Sequence, residues 1–274
     1  MSRHPRLRAL VVVAVTGLAV AACGGGRRAT GAAPAPASTT TITTTTSRAS
    51  TGTGVIDPGD GGNYQPKIDP ADFVERIDNP YLPLEPGSTW LYEGTVDGER
   101  QRVKVVVKPE RKRIMGISAV VVSDTVFDAD GQPVEITTDW YAQDSSGNVW
   151  YLGEDSKEIE DGKVKTTQGS WVAGVDGALP GIIMLAAPTP GRAYRQEFYR
   201  GEAEDMAQVV RLDATARVRA GSYGKVLVTR EWTPLEPKNL EDKYYAKGVG
   251  NVLMNLTAGE RGRFELIRFS RGSG

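Results

Sequence analysis

The sequence predicts a mainly β fold: an antiparallel meander that closes into an open barrel or folds as a sandwich, with one short N-terminal helix. Three observations carry this. Runs of β-branched and aromatic residues recur at short spacing between Thr89 and Phe269. Asp-Gly and Ser-Gly pairs punctuate them, as at Asp97-Gly98, Asp130-Gly131 and Asp161-Gly162, which is hairpin chemistry. A helical stripe occurs once, near residue 70.

In that helix Asp69 caps, Pro70 takes the first position and Asp72 complements the dipole. Phe73, Val74 and Ile77 form its apolar stripe, and Asn79-Pro80 ends it. Strands follow over 89–94 and 102–108, then over a long run, 113–127, that bends at Gly116. Further strands cover 134–141 and 148–152, and a hairpin over 157–165 turns at Asp161-Gly162. The last strands are expected over 208–218, 225–232, 242–245, 249–256 and 264–269.

The N-terminus reads differently. Residues 1–22 have a basic start (Arg3, Arg6, Arg8) and an apolar run of about a dozen residues, too short to span a bilayer as a helix. Val20-Ala21-Ala22-Cys23 resembles the bacterial lipobox. That resemblance implies cleavage between Ala22 and Cys23 and a diacylglyceryl group on the Cys23 thiol. The membrane would then be a partner through N-terminal acyl chains, and the protein would be exported and held on the outer face of the cell membrane or in the envelope. Residues 23–63 form a Gly/Ala/Pro/Thr-rich linker without hydrophobic periodicity, which cannot bury enough apolar surface to order itself. Residues 64–274 are expected to form one β-rich globular domain.

Composition removes several chemistries. The only His is His4 and the only Cys is Cys23, so the mature chain has no Ser-His-Asp or Cys-His device, no His- or Cys-ligated zinc and no internal disulfide. No cofactor, metal site or catalytic residue is assigned. With the signal removed the chain holds 30 basic and 34 acidic residues, which argues against nucleic acid and against a polybasic grip on anionic lipid.

Two stretches break the strand rhythm. The first, 169–191, is apolar and rich in Gly and Pro. Trp171, Leu179, Ile182, Ile183, Met184 and Leu185 would belong to a crossover packed into the core, or to a loop that walls a ligand pocket or meets a partner. The second places Glu202, Glu204 and Asp205 within four positions. They would form a solvated turn paired with Arg195 and Arg200, or an acid–base site.

Pro86-Gly87-Ser88-Thr89-Trp90, the run 139–144, the run 147–154, Gly201-Glu202-Ala203-Glu204-Asp205-Met206 and the run 243–250 together resemble a group of uncharacterised bacterial secreted lipoproteins. The resemblance implies envelope location and no particular activity. The functional expectation is a lipid-anchored envelope lipoprotein whose non-enzymatic β-rich domain binds an apolar ligand, such as a lipid, or an envelope protein or other envelope component. The alternatives are a structural or protein-interaction module without a pocket, and a carboxylate-dependent envelope glycan hydrolase.

Overall fold

The structure, a computed structural model, describes residues 55–272. The expected signal segment, the cleavage site at Ala22 and Cys23, and most of the linker lie outside the described residues.

One antiparallel sheet wraps into a nearly closed barrel. A first meander runs through β1 (Phe73–Val74), β2 (Thr89–Val96), β3 (Glu99–Ile114), β4 (Ile117–Phe127), β5 (Pro133–Asp144) and β6 (Val149–Glu160). Three short strands then pair in turn along the free edge of β6: β7 (Lys163–Thr166), β8 (Trp171–Val172) and β9 (Leu179–Met184). After β10 (Ala193–Arg195) and β11 (Glu197–Phe198) comes a second meander. It comprises β12 (Met206–Val218), β13 (Gly221–Trp232), β14 (Leu240–Ala246), β15 (Gly250–Ala258) and β16 (Gly262–Ser270). Pairing of β16 with β2 joins the two meanders.

Closure is the work of one extended segment. β10 pairs with β12, and β11 pairs with β9, with only Gln196 between them. The backbone amides of Gln196 and Glu197 both donate to the Asp205 carbonyl, at 2.8 and 3.4 Å, so two residues oppose one in a β-bulge. Gly181 makes the approach possible: a Cβ there would sit 2.2 Å from the Gln196 carbonyl carbon. This is why a strand tolerates Pro180-Gly181 at this place. The stretch 179–184, which the sequence left open as a loop, is therefore a strand, and Ile183, Met184 and Leu185 are buried in the core.

The helix expected after Asp69 is a three-residue 3-10 turn, Pro70–Asp72. The cap works as predicted, with Asp69 accepting from the Ala71 amide at 3.0 Å. The helix stops there because Phe73 and Val74 pair with Asp144 and Gln143 of β5. Further on, the Gln143 side chain accepts from the Asp78 and Asn79 amides at 3.0 and 2.8 Å, holding that stretch extended over the barrel end. The long run 113–127 is a hairpin rather than a bent strand, turning at Met115-Gly116 with φ of 49° and 82°.

The barrel is filled with side chains. Tyr92, Tyr141, Tyr151, Tyr245, Phe264 and Leu266 are fully buried among valines of β3 and β4. The apolar gap lined by Leu82, Trp90, Tyr92, Val105 and Tyr141 holds only about 10 Å³, the room of a single water. The packed chain also begins earlier than expected. Ile56 is buried, and Tyr64 donates to the Pro180 carbonyl at 2.9 Å and meets Phe198 edge-to-face at 5.9 Å.

Candidate functional site

Period-two alternation on β5 sends Glu135, Thr137, Asp139 and Tyr141 to one face. All four are buried. β6 supplies Tyr151 and, after a bulge at Gly153, Glu154. Gly153 sits at φ 134°, where a Cβ would lie 2.3 Å from the Trp171 carbonyl oxygen, so glycine lets β8 close on β6. The closing segment adds Glu197, and the turn before β12 adds Asp205. Trp171 donates its indole N–H to Glu197 Oε2 at 2.8 Å, and Tyr151 donates to Asp139 Oδ1 at 2.7 Å. Tyr151 stacks on Tyr141 at 4.8 Å and meets Trp171 edge-to-face at 5.3 Å.

Burial raises the carboxyl of Glu154 well above the usual range, and the charges of Glu197, Asp139, Glu135 and Asp205 raise it further. Glu197 is raised by burial and by Asp205, against the stabilising indole bond of Trp171. Burial pushes Glu135 up to about 8, partly opposed by the hydrogen bond from Thr137. In this group burial therefore favours the protonated form of Glu135, Glu154 and Glu197. Among the described residues, no three His, Cys, Asp or Glu side chains converge on a point that would hold a metal ion.

Glu154 and Trp171 also line an open surface cleft of about 380 Å³. Trp140, Val172, Val175 and Tyr199 form its apolar and aromatic walls, and Lys112 and Asp176 carry charge at it. The ammonium of Lys112 sits 3.3 Å from the centroid of the Trp140 ring. Val175 is 51% exposed, and Met115, 41% exposed, lies beside neighbouring Gly174. Val175 thus brings a large exposed apolar side chain to the cleft.

The structure brings together part of what the sequence singled out. Trp171 and Asp205 both act on Glu197. Leu179 and Ile182 are half-buried strand residues, and Ile183, Met184 and Leu185 pack inward. Glu202 and Glu204 stay on the surface turn 199–204, where Glu204 accepts from the Gly201 amide at 2.7 Å. Arg195 does not pair with them but with Asp60. Sequence reasoning missed Glu135, Glu154, Glu197 and Lys112. The signal for Glu135 was the alternation of polar residues along β5; Glu154 and Glu197 are placed by bulges that carry no sequence signature.

No protein-family model and no curated protein matches the chain. Among solved structures, the chain is similar to a "putative exported protein with YmcC-like fold" from Bacteroides fragilis, at 17% identity and a TM-score of 0.42. It is also similar to a "putative lipoprotein" from Parabacteroides distasonis, at 10% identity and a TM-score of 0.39. Each match covers 70% of this chain and 99% of the other.

Proposed function

We propose that this chain is a lipid-anchored envelope protein whose barrel is a non-enzymatic binding module, engaging another envelope component at the cleft between Lys112, Trp140, Trp171 and Val175. The single observation that carries this is the meeting of exposed Val175 with buried Trp140 and Trp171 at one concave place. Aromatic side chains at the centre with charged groups around them is the composition of a protein-interaction hot spot. The ligand is held on the outside of the barrel, because the tyrosine-packed interior leaves an apolar gap of about 10 Å³, far below the volume of an acyl chain. The anchor rests on the lipobox resemblance at Cys23.

A second reading, hydrolysis of an envelope glycan, is favoured by one observation: Glu154, whose carboxyl is raised by burial and by neighbouring carboxylates, lines the same cleft. Glu154→Gln separates the two. A binding module keeps its ligand in that variant. A hydrolase loses turnover of envelope polysaccharide by a hundredfold or more.

A further inference from the structure

The mature chain is acidic as a whole, yet one face of the barrel is not. β2 lies between β16 and β3, and its outward residues set three rungs. Thr95 stands between Arg263 and Arg100, Glu93 between Glu265 and Arg102, and Leu91 between Arg268 and Lys104. All five cations on these rungs are exposed. Arg219, from the β12–β13 turn, lies over the middle rung, 2.9 Å from Glu93 and 3.3 Å from Glu265.

The two glutamates organise this face. Burial draws the Glu93 carboxyl up, but Arg219 and Arg102 outweigh it and leave the carboxyl lowered, so it stays charged and fixes both guanidiniums. Arg263 is held instead by neutral groups, the Asn255 side-chain oxygen at 3.3 Å and the Arg217 carbonyl at 3.4 Å. Its charge is thus oriented without being neutralised. Arg100, Arg102, Arg219 and Arg263 line an open cleft of about 440 Å³, together with Glu93, Glu265 and Asp128. Gln101 lines it too and keeps its side-chain oxygen buried without a hydrogen-bond partner. Six cations therefore face three carboxylates on one surface of a protein that is net acidic.

We propose that the outer face of β16, β2 and β3 docks on the anionic headgroups of the membrane that carries the chain. Guanidiniums held in a fixed fork suit phosphate oxygens. A basic surface near an anionic leaflet gains attraction from each cation, and an acyl anchor keeps the chain at that leaflet. The stretch from Cys23 to Val55 reaches at most about 110 Å, long enough for the barrel to turn this face to the bilayer. The proposal rests on the anchoring reading, and its test is built to be independent of it.

The test is flotation of the chain from residue 23 onward, carrying Cys23→Ala and so free of both the acyl site and the basic, apolar segment 1–22, with vesicles of phosphatidylcholine, and of phosphatidylcholine with about 30% phosphatidylglycerol. Removing the anchor site leaves only what the rest of the chain does, and the difference between the two vesicle types isolates charge. The expected result is binding that favours the anionic vesicles. It should fall about a hundredfold in the triple variant Arg100→Ser, Arg102→Ser, Arg263→Ser, and comparably between 0.05 and 0.5 M salt. The charge-matched triple Arg192→Ser, Arg200→Ser, Arg211→Ser should retain binding. Equal loss in both triples, or equal binding to neutral and anionic vesicles, overturns the proposal. So does binding to a soluble polyphosphate without binding to vesicles. If the first triple unfolds, Arg100→Ser and Arg263→Ser are read singly, each with about a several-fold loss. Fatty-acid labelling of the wild type in cells reports on the anchor separately.

Discussion

Arg195 and Asp60 form a two-point ion pair across 135 residues, Nε to Oδ2 at 2.6 Å and Nη2 to Oδ1 at 3.1 Å. Arg195 is the last residue of β10, one position before the bulge that closes the barrel. Its guanidinium lies 4.5 Å from the Phe198 ring centroid and 5.8 Å from that of Tyr64. The segment nearest the tether is thus clasped to the strand that completes the sheet.

Asp60→Asn weakens the clasp while keeping its shape. The expected outcome is a loss of about 1–3 kcal/mol in urea unfolding, with faster hydrogen exchange at residues 56–64 and 193–198. Unchanged exchange in both segments would refute the coupling.

Closure depends on Gly181, whose Cβ position is occupied by the backbone of Gln196. Gly181→Ala must push the two strands apart, since neither neighbour is a flexible side chain. A loss of about 3 kcal/mol or more in denaturant unfolding is expected. Gly201→Ala, with open space around it but φ of 79°, should cost about 1 kcal/mol.

Lys243 is fully buried between Glu231 Oε2 at 2.7 Å and Glu241 Oε1 at 2.8 Å. Burial alone would lower its ammonium, but the two carboxylates outweigh that and raise it. Lys243→Met strands two buried carboxylates and should lose about 3–5 kcal/mol. Adding Glu231→Gln and Glu241→Gln to it should recover part of that loss, measured by the same unfolding curve.

The acid group gives the fold a pH dependence of definite sign. Glu135, Glu154 and Glu197 are raised in the folded chain, Glu135 to about 8, whereas unfolded glutamates ionise near pH 4.3. The folded state therefore binds more protons between these limits, and stability falls as pH rises from about 4.5 to 8. The thermal midpoint should be at least roughly 5 °C higher at pH 5 than at pH 8, with a flatter profile in Glu135→Gln. A midpoint that rises over this window contradicts the burial of these groups.

Much of the fold was legible because β-branched runs and Asp-Gly turns are local signals. The hairpin at Asp161-Gly162 and the strands of the second meander fall close to where the sequence places them. Met115 hid a turn because methionine rarely takes a positive φ. Pro180-Gly181 hid a strand because only the approach of Gln196 explains the glycine. Glu154 and Glu197 come together through two bulges and a chain reversal, none of which has a pattern in one dimension. The basic face was invisible for a related reason: Arg100 and Arg263 become neighbours only once β16 pairs with β2.

If the cleft at Val175 and Trp140 engages an envelope component, a reactive group placed there must reach that component. The most direct measurement replaces Val175 with a photoreactive amino acid in the full chain and irradiates living cells, with the exposed Val164 as the control position. One discrete, identifiable adduct is expected from position 175, lost when Trp140→Ala is added, and none from position 164. Adducts of equal yield and pattern from both positions, or none from position 175, would contradict it.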